Sequence, residues 1–270
     1  MAGLHGALRV AIFDEFLDSF ARIPRAQQKK VNKFLRLFRA NPTAASINYE
    51  KIDTFDDPNL RTVRIDQTYR AIVLQPGQGN IYVLLWVDHH DKAMDWARHK
   101  RVSIHPETGT LQVLTGEAAA ETPRPPTMDD EPGLFEHIRD RELLRLGVPE
   151  TMIAPVREVE EPDQLDLLQA TLPPEAYEAL FFLADGESLV DVEKAMAATT
   201  VKEVDPTDFD AALERDASKR RFVVVEDDSE LEAMLDSPLE KWRVFLHPAQ
   251  RQIVYRSWKG PVRVLGGAGT

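Results

Sequence analysis

The sequence predicts an α+β protein in three parts: a small sheet-and-helix unit, a mostly helical region, and the first strand of a further domain. Three observations carry that expectation. β-Branched and aromatic runs cluster between Ile47 and Val87, where period-two patterning points to a sheet. Apolar residues at helical spacing dominate before that cluster and again after Leu134. Finally, Val262-Arg263-Val264-Leu265 runs from Gly260-Pro261 into Gly266-Gly267-Ala268-Gly269-Thr270, a buried strand leading into a glycine-rich turn.

Taken in order, Leu8 to Ile12 reads as a strand, and Asp14 as the cap of a helix bearing Phe16, Leu17 and Phe20. Pro24 opens a longer helix with Val31, Phe34, Leu35 and Phe38 on one face. The opposite face carries Lys29, Lys30, Lys33, Arg36 and Arg39. Such a face is either a solvated helix side or a set of phosphate contacts. Four short antiparallel strands are expected at 47–52, 60–66, 69–75 and 81–87, with Gly77-Gln78-Gly79-Asn80 as a hairpin turn. A helix from His90 to Lys100 follows, then a hairpin of Val102–Ile104 and Leu111–Val113 around Pro106-Glu107-Thr108-Gly109.

The stretch 115–133 is rich in Pro, Ala and acidic residues and poor in large apolar ones, which predicts a linker. The charge balance changes there. Residues 1–114 hold 16 Lys+Arg and 12 Asp+Glu; the whole chain holds 33 and 45, leaving 17 and 33 for the remainder. The expected organisation is therefore an α+β unit at 1–114, a linker at 115–133, an acidic helical adaptor at 134–243, and the start of a further domain at 244–270. In the adaptor, helices are expected at 134–146 ending at Gly147, 164–169 after Pro162-Asp163, 175–183 after Pro173-Pro174, 189–197, and from Asp205 to Glu214. Leu165, Leu168, Leu172, Tyr177, Leu180, Phe181 and Leu183 recur at helical spacing and read as core. Arg221 to Val225 reads as a strand, followed by Asp227-Asp228-Ser229 capping Leu231 to Leu235.

Of the 270 residues, 43% are hydrophobic and 29% charged, enough for a buried core and two modest domains. No apolar run approaches the roughly eighteen residues that read as a membrane span, and no leader pattern is visible, so a soluble, cytoplasmic protein is expected. The absence of cysteine excludes disulfides, thiolate metal sites and a cysteine nucleophile. Asp91, Asp95 and His99 share a helical face, but this spacing also makes ordinary surface pairs and matches no metal signature, so no metal site is expected.

Two resemblances point to function. Phe245-Leu246-His247-Pro248-Ala249-Gln250-Arg251-Gln252-Ile253-Val254, followed by Gly260-Pro261 and the strand into Gly266–Thr270, resembles the opening of UvrD/Rep-type superfamily 1 DNA helicases. The resemblance covers about thirty residues. It implies that Gln250 contacts the adenine of ATP, since a primary amide offers a donor and an acceptor side by side. It further implies that Gly266, Gly267, Ala268, Gly269 and Thr270 form the front half of a phosphate-binding loop, whose glycines turn backbone N–H groups toward phosphate. The lysine and hydroxyl of G-x-x-x-x-G-K-[ST] would come after Thr270, so the chain is expected to be a fragment that does not itself hydrolyse ATP. ATP, Mg2+ and DNA are the cofactors and partner implied for the complete protein. The bland readings remain open: an exposed polar Gln250 behind a Pro-started helix, and a frayed glycine-rich tail.

The second resemblance lies in the first unit. Leu60-Arg61-Thr62-Val63-Arg64-Ile65, Tyr69-Arg70-Ala71-Ile72-Val73 and Ile81 to Asp91 resemble the central strands of RelE/ParE-type toxins. The resemblance implies an mRNA-cleaving site in which Arg70 and His89 or His90 would serve as catalytic groups, and it raises RNA or the ribosome as partners. Trp96 stands where a terminal tyrosine is expected and has no O–H to donate. Arg70 reads equally as a cross-strand partner of Asp66 or Asp88. Recruitment of a helicase through a nucleic-acid, ribosome or protein contact, with Lys29, Lys30, Lys33 and Arg36 as phosphate contacts, is preferred to ribosome-dependent mRNA cleavage, which stays as the alternative.

Overall fold

The computed structural model describes residues 8–75, 80–116, 133–196 and 204–225, together with 227, 229, 231, 234 and 235. Its centre is a mixed six-stranded sheet of order β2-β3-β4-β5-β1-β8. The strands are β1 (Arg9–Phe13), β2 (Tyr49–Lys51), β3 (Leu60–Arg64), β4 (Tyr69–Leu74), β5 (Ile81–His89) and β8 (Phe222–Val225). β2 to β5 form the expected antiparallel run, while β1 lies parallel to β5, with Val10 opposite Tyr82 and Ile12 opposite Leu84. The expected four-stranded sheet is thus extended on the β1 side by two more strands. The turn at Gly77–Gly79 lies outside the described residues.

Period-two alternation sorts the sheet's side chains onto two faces. Val10, Ile12, Ala71, Val73, Tyr82 and Leu84 enter one core, covered by α1 (Asp14–Arg22) and α2 (Arg25–Ala40) through Phe16, Leu17, Phe20, Val31, Leu35 and Phe38. Ala11, Phe13, Ile72, Leu74, Ile81 and Val83 enter the other. That second face is covered by α3 (His90–Arg98), by a separate hairpin of β6 (Lys100–Ile104) and β7 (Leu111–Thr115), and by α9 (Phe209–Leu213). The β4–β5 register slips between Ile72 and Val73, so β5 carries one extra residue. Nearby, the buried Ser19 hydroxyl accepts from the Val87 N–H at 3.1 Å and donates to the Phe16 carbonyl, leaving neither backbone group unpaired. Asp14 is not the cap of α1: Phe13 holds that position, and Asp14 begins the helix itself.

Residues 133–196 fold around their own core of Phe135, Leu143, Val156, Leu165, Leu172 and Leu180. Its helices are α4 (Asp140–Arg145), α5 (Ile153–Arg157), α6 (Pro162–Leu167), α7 (Pro174–Ala184) and α8 (Leu189–Met196). The expected helix from Leu134 is shorter, beginning only at Asp140. Arg157 supplies the reason: its guanidinium donates to the carbonyls of Phe135, Glu136 and Ile138, which a continuous helix would have paired with its own N–H groups. The Glu142 side chain then accepts from the Arg139 N–H at 2.9 Å and starts the helix there. Gly147, at φ +86°, ends this segment in the left-handed conformation its position predicts. Phe181, expected in the core, is 43% exposed.

After α9, which Asp208 caps instead of Asp205, α10 (Asp216–Arg221) leads into β8. β8 pairs antiparallel with β1, Phe222 opposite Phe13 and Val225 opposite Val10. The strand assigned to the helical adaptor therefore belongs to the sheet of the first unit, and the boundary expected at 115–133 is crossed. Its side chains explain the return: Phe222 is 2% exposed and its ring lies 4.9 Å from that of Phe13, while Val225 enters the α1/α2 core. Residues 117–132 of the expected linker, and 236–270, lie outside the described residues.

Candidate functional site

The residues expected to act on RNA lie at one end of β4 and β5. Tyr69 stands opposite His89, and Arg70 opposite Asp88. Alternation therefore sends Tyr69 and His89 toward the α1/α2 face, together with Ala71 and Val87, and Arg70 toward the opposite face with Ile72. The structure does not bring Arg70 and His89 onto one surface.

Arg70 is only 6% exposed. Its Nη1 donates to the carbonyls of Asp66 (2.9 Å) and Tyr69 (3.1 Å), and its Nε is buried without a partner among the described residues. It holds the β3–β4 turn through the Asp66 carbonyl, not through the Asp66 carboxylate considered from sequence. A guanidinium fixed in this way is not presented to a scissile phosphate. His90 Nδ1 lies 3.0 Å from Asp91 Oδ1, and this hydrogen bond holds the Asp91 carboxyl below the usual carboxylate range. His90 also opens α3, its N–H donating to the Thr68 carbonyl. Trp96 stacks on Trp86 with centroids 5.2 Å apart and donates Nε1–H to Glu15 Oε2 at 3.0 Å.

A different set does gather on the α2 side. Lys30 Nζ reaches Asp66 Oδ2 at 2.6 Å, and Asp66 Oδ1 accepts from the N–H groups of Thr68 and Tyr69. Burial alone would push the Asp66 carboxyl up; the Lys30 ammonium and the Thr68 and Tyr69 donors more than offset it and hold it well below the usual range. The Tyr69 ring meets the His89 ring edge-on at 6.0 Å. The α2 helix is thereby pinned to the β3–β4 turn through Lys30, and Lys29, Lys33 and Arg36 of the same helix are exposed. Positive side chains along one helix can contact phosphates, and a tyrosine or an imidazole can stack on a base.

Sequence reasoning missed the cluster where β8 closes on α1. Arg221 Nε and Nη2 reach Asp14 at 3.1 and 3.3 Å, Nη2 reaches Glu15 at 3.2 Å, and the guanidinium lies 4.4 Å from the Phe13 ring centroid. Burial pushes the Asp14 carboxyl up despite this pairing, and it pulls the Lys100 ammonium down beside Trp96. More than 200 residues separate these partners in sequence, and no local pattern announces such a contact.

No group of three His, Asp or Glu side chains placed to hold a metal occurs among the described residues. Asp95 pairs with Arg98 at 3.4 Å and His99 with Asp56 at 3.5 Å. No helix among the described residues is long and apolar enough to cross a membrane. Gln250 and Gly266 to Thr270, the residues with an implied role toward ATP, lie outside the described residues. Comparison of the chain with protein-family models, with curated proteins and with solved structures gives no match.

Proposed function

We propose that this chain is the N-terminal region of an ATP-dependent UvrD/Rep-type DNA helicase, in which the unit built on the sheet recruits the motor to nucleic acid. One observation carries the helicase part: Leu246-His247-Pro248-Ala249-Gln250 stands a helix's length before Gly260-Pro261, a hydrophobic strand and Gly-Gly-Ala-Gly-Thr. In the complete protein, ATP hydrolysis with Mg2+ would drive 3′-to-5′ movement on DNA. Within this chain, Gln250 would contact adenine and the Gly266–Thr270 backbone would contact phosphate.

Recruitment is preferred to RNA cleavage because Arg70 is buried against carbonyls and faces away from His89, whereas Lys29, Lys33 and Arg36 are exposed on α2, the helix that Lys30 ties to the β3–β4 turn. The order of one strand, two helices and then the antiparallel run β2 to β5, with both helices packed on one face, supports the RelE/ParE-like reading of this unit.

Two measurements test the proposal. Sequencing the gene past the Thr270 codon is expected to give Gly-Lys-Thr or Gly-Lys-Ser; any other continuation, or a stop, overturns the helicase reading. Filter binding of single-stranded DNA and RNA to this chain tests the recruiting face. Replacing Lys29 and Lys33 by Ala is expected to weaken binding of all sequences alike and to reduce the salt slope by about one for each phosphate no longer neutralised. An unchanged slope removes α2 from the interface.

A further inference from the structure

A cavity of about 350 Å3 lies between the β6–β7 hairpin, α7, α8 and α10. One wall is apolar, formed by Ala179, Phe182, Val192, Met196 and Ala217. The exposed carboxylates of Glu178, Glu187 and Asp216 line it as well. Arg220 is the single basic residue in the lining, and its guanidinium is already engaged by Glu178 at 2.8 Å.

Glu175 also lines this space, and it is not a rim residue: it is 7% exposed. Its Oε1 accepts from the Thr110 hydroxyl at 3.3 Å and from Gln112 Nε2 at 3.2 Å. Thr110 is in turn oriented by the Thr108 hydroxyl at 2.8 Å. Among the described residues no salt bridge to this carboxylate is formed; the Arg221 guanidinium and the His105 imidazole act on its charge only from a distance. The first turn of α7 contributes a favourable dipole, and a buried carboxylate gains further from a cation in direct contact with it. Glu175 shares the cavity lining with the hydrocarbon side chains of Phe182, Val192 and Met196.

We propose that this cavity binds a primary alkylammonium ion. The charged head sits on Glu175, the hydrocarbon stem lies along Phe182, Val192 and Met196, and a second ammonium, where present, meets Glu187 and Asp216. The same chemistry is offered by a free aliphatic diamine and by a lysine side chain of a partner, and the two are separable by experiment.

Isothermal titration of this chain with 1,5-diaminopentane, with N-acetyl-lysine methylamide and with neutral 1,5-pentanediol provides the test, alongside amide chemical shifts at Thr108, Thr110 and Ala217. The diamine is expected to bind and to move those three signals, and the diol to do neither. Tighter binding of the diamine than of the lysine derivative assigns the site to a free diamine; the reverse order assigns it to a lysine side chain. Glu175→Gln keeps the acceptor for Thr110 and Gln112 but removes the charge, and is expected to weaken ammonium binding at least about tenfold. Ala195→Phe, at an exposed position in the lining, fills the mouth without entering the core and is expected to block binding while leaving the fold intact. Equal binding of diol and diamine, undiminished binding by Glu175→Gln, or no binding at millimolar diamine overturns the proposal.

Discussion

The sheet unit and the helical region each enclose an apolar core, but they hold their chain by different means. In the sheet unit, long elements are held by regular backbone hydrogen bonds: α2 runs for 16 residues, and the 9 residues of β5 pair with β1 on one side and β4 on the other. In the helical region, α4, α5 and α6 have only 6, 5 and 6 residues, far below the length at which a helix persists alone. These helices exist because Leu143, Val156 and Leu165 are buried together and because Arg157, at the end of α5, collects the carbonyls of the segment before α4. The difference teaches that the second region needs the first as a wall. Gln112 donates to the Gly147 carbonyl, His105 to that of Val148, and Arg220 to Glu178, so the β6–β7 hairpin and α10 stand against it on two sides.

Damage to β8 is therefore expected to reach the whole molecule. Phe222→Ala removes a ring that is 2% exposed, and substitutions of this kind cost about 3–5 kcal/mol. The expected outcome is one cooperative transition at lower temperature, in which near-ultraviolet circular dichroism from the stacked Trp86 and Trp96 is lost together with the far-ultraviolet signal of the helices. Two separated transitions, with the tryptophan signal melting at its original temperature, would break the comparison and restore an independent first unit.

Arg157→Ala probes the helical region from within. The carbonyls of Phe135, Glu136 and Ile138 lose their donor, at an expected cost of about 1–3 kcal/mol in urea denaturation. Amide exchange is expected to quicken across 134–145 and to stay unchanged in β3 to β5. Lysine at the same position would present one ammonium in place of a planar fork and is expected to recover only part of the loss.

Much of this architecture is legible in the chain because it is local. The strands of the antiparallel run, the two helices before them and the β6–β7 hairpin appear where alternation, Pro24 and Gly109 place them. The β8–β1 pairing was not legible. Phe222-Val223-Val224-Val225 announces a strand, but nothing in four residues says which edge it will join, and its partner lies some 210 positions earlier. The non-helical start at Leu134 escaped for a related reason: helical periodicity is present, but a distant arginine takes the carbonyls. At the candidate site, the residue types were readable, whereas the assignment of Arg70 and His89 to opposite faces follows from register, which becomes visible only once β4 and β5 are paired.

The subtlest test of the wall concerns His105, which is 2% exposed where the hairpin meets the helical region. Its Nδ1 accepts from the N–H groups of Glu107 and Thr108, so Nε2 carries the proton and donates to the Val148 carbonyl at 3.1 Å. Burial lowers the imidazole below its ordinary 6.5, against smaller opposing effects from the Val148 hydrogen bond and from Glu175 and Glu107. The folded state therefore resists a proton that the unfolded chain accepts. Stability from this group is fully present above pH 6.5 and falls as pH drops through 6.5 toward the lowered folded value, with a slope of at most about 1.4 kcal/mol per pH unit. At neutral pH little of this stability has yet been lost, which makes it the finest of the three probes. Chemical denaturation at intervals from pH 7.5 to about 5 is expected to show a decline that His105→Gln flattens, on top of the background from other groups. An identical pH profile for the two proteins would mean that the imidazole is protonated as readily in the fold as outside it, and that the junction between hairpin and helices is open to water.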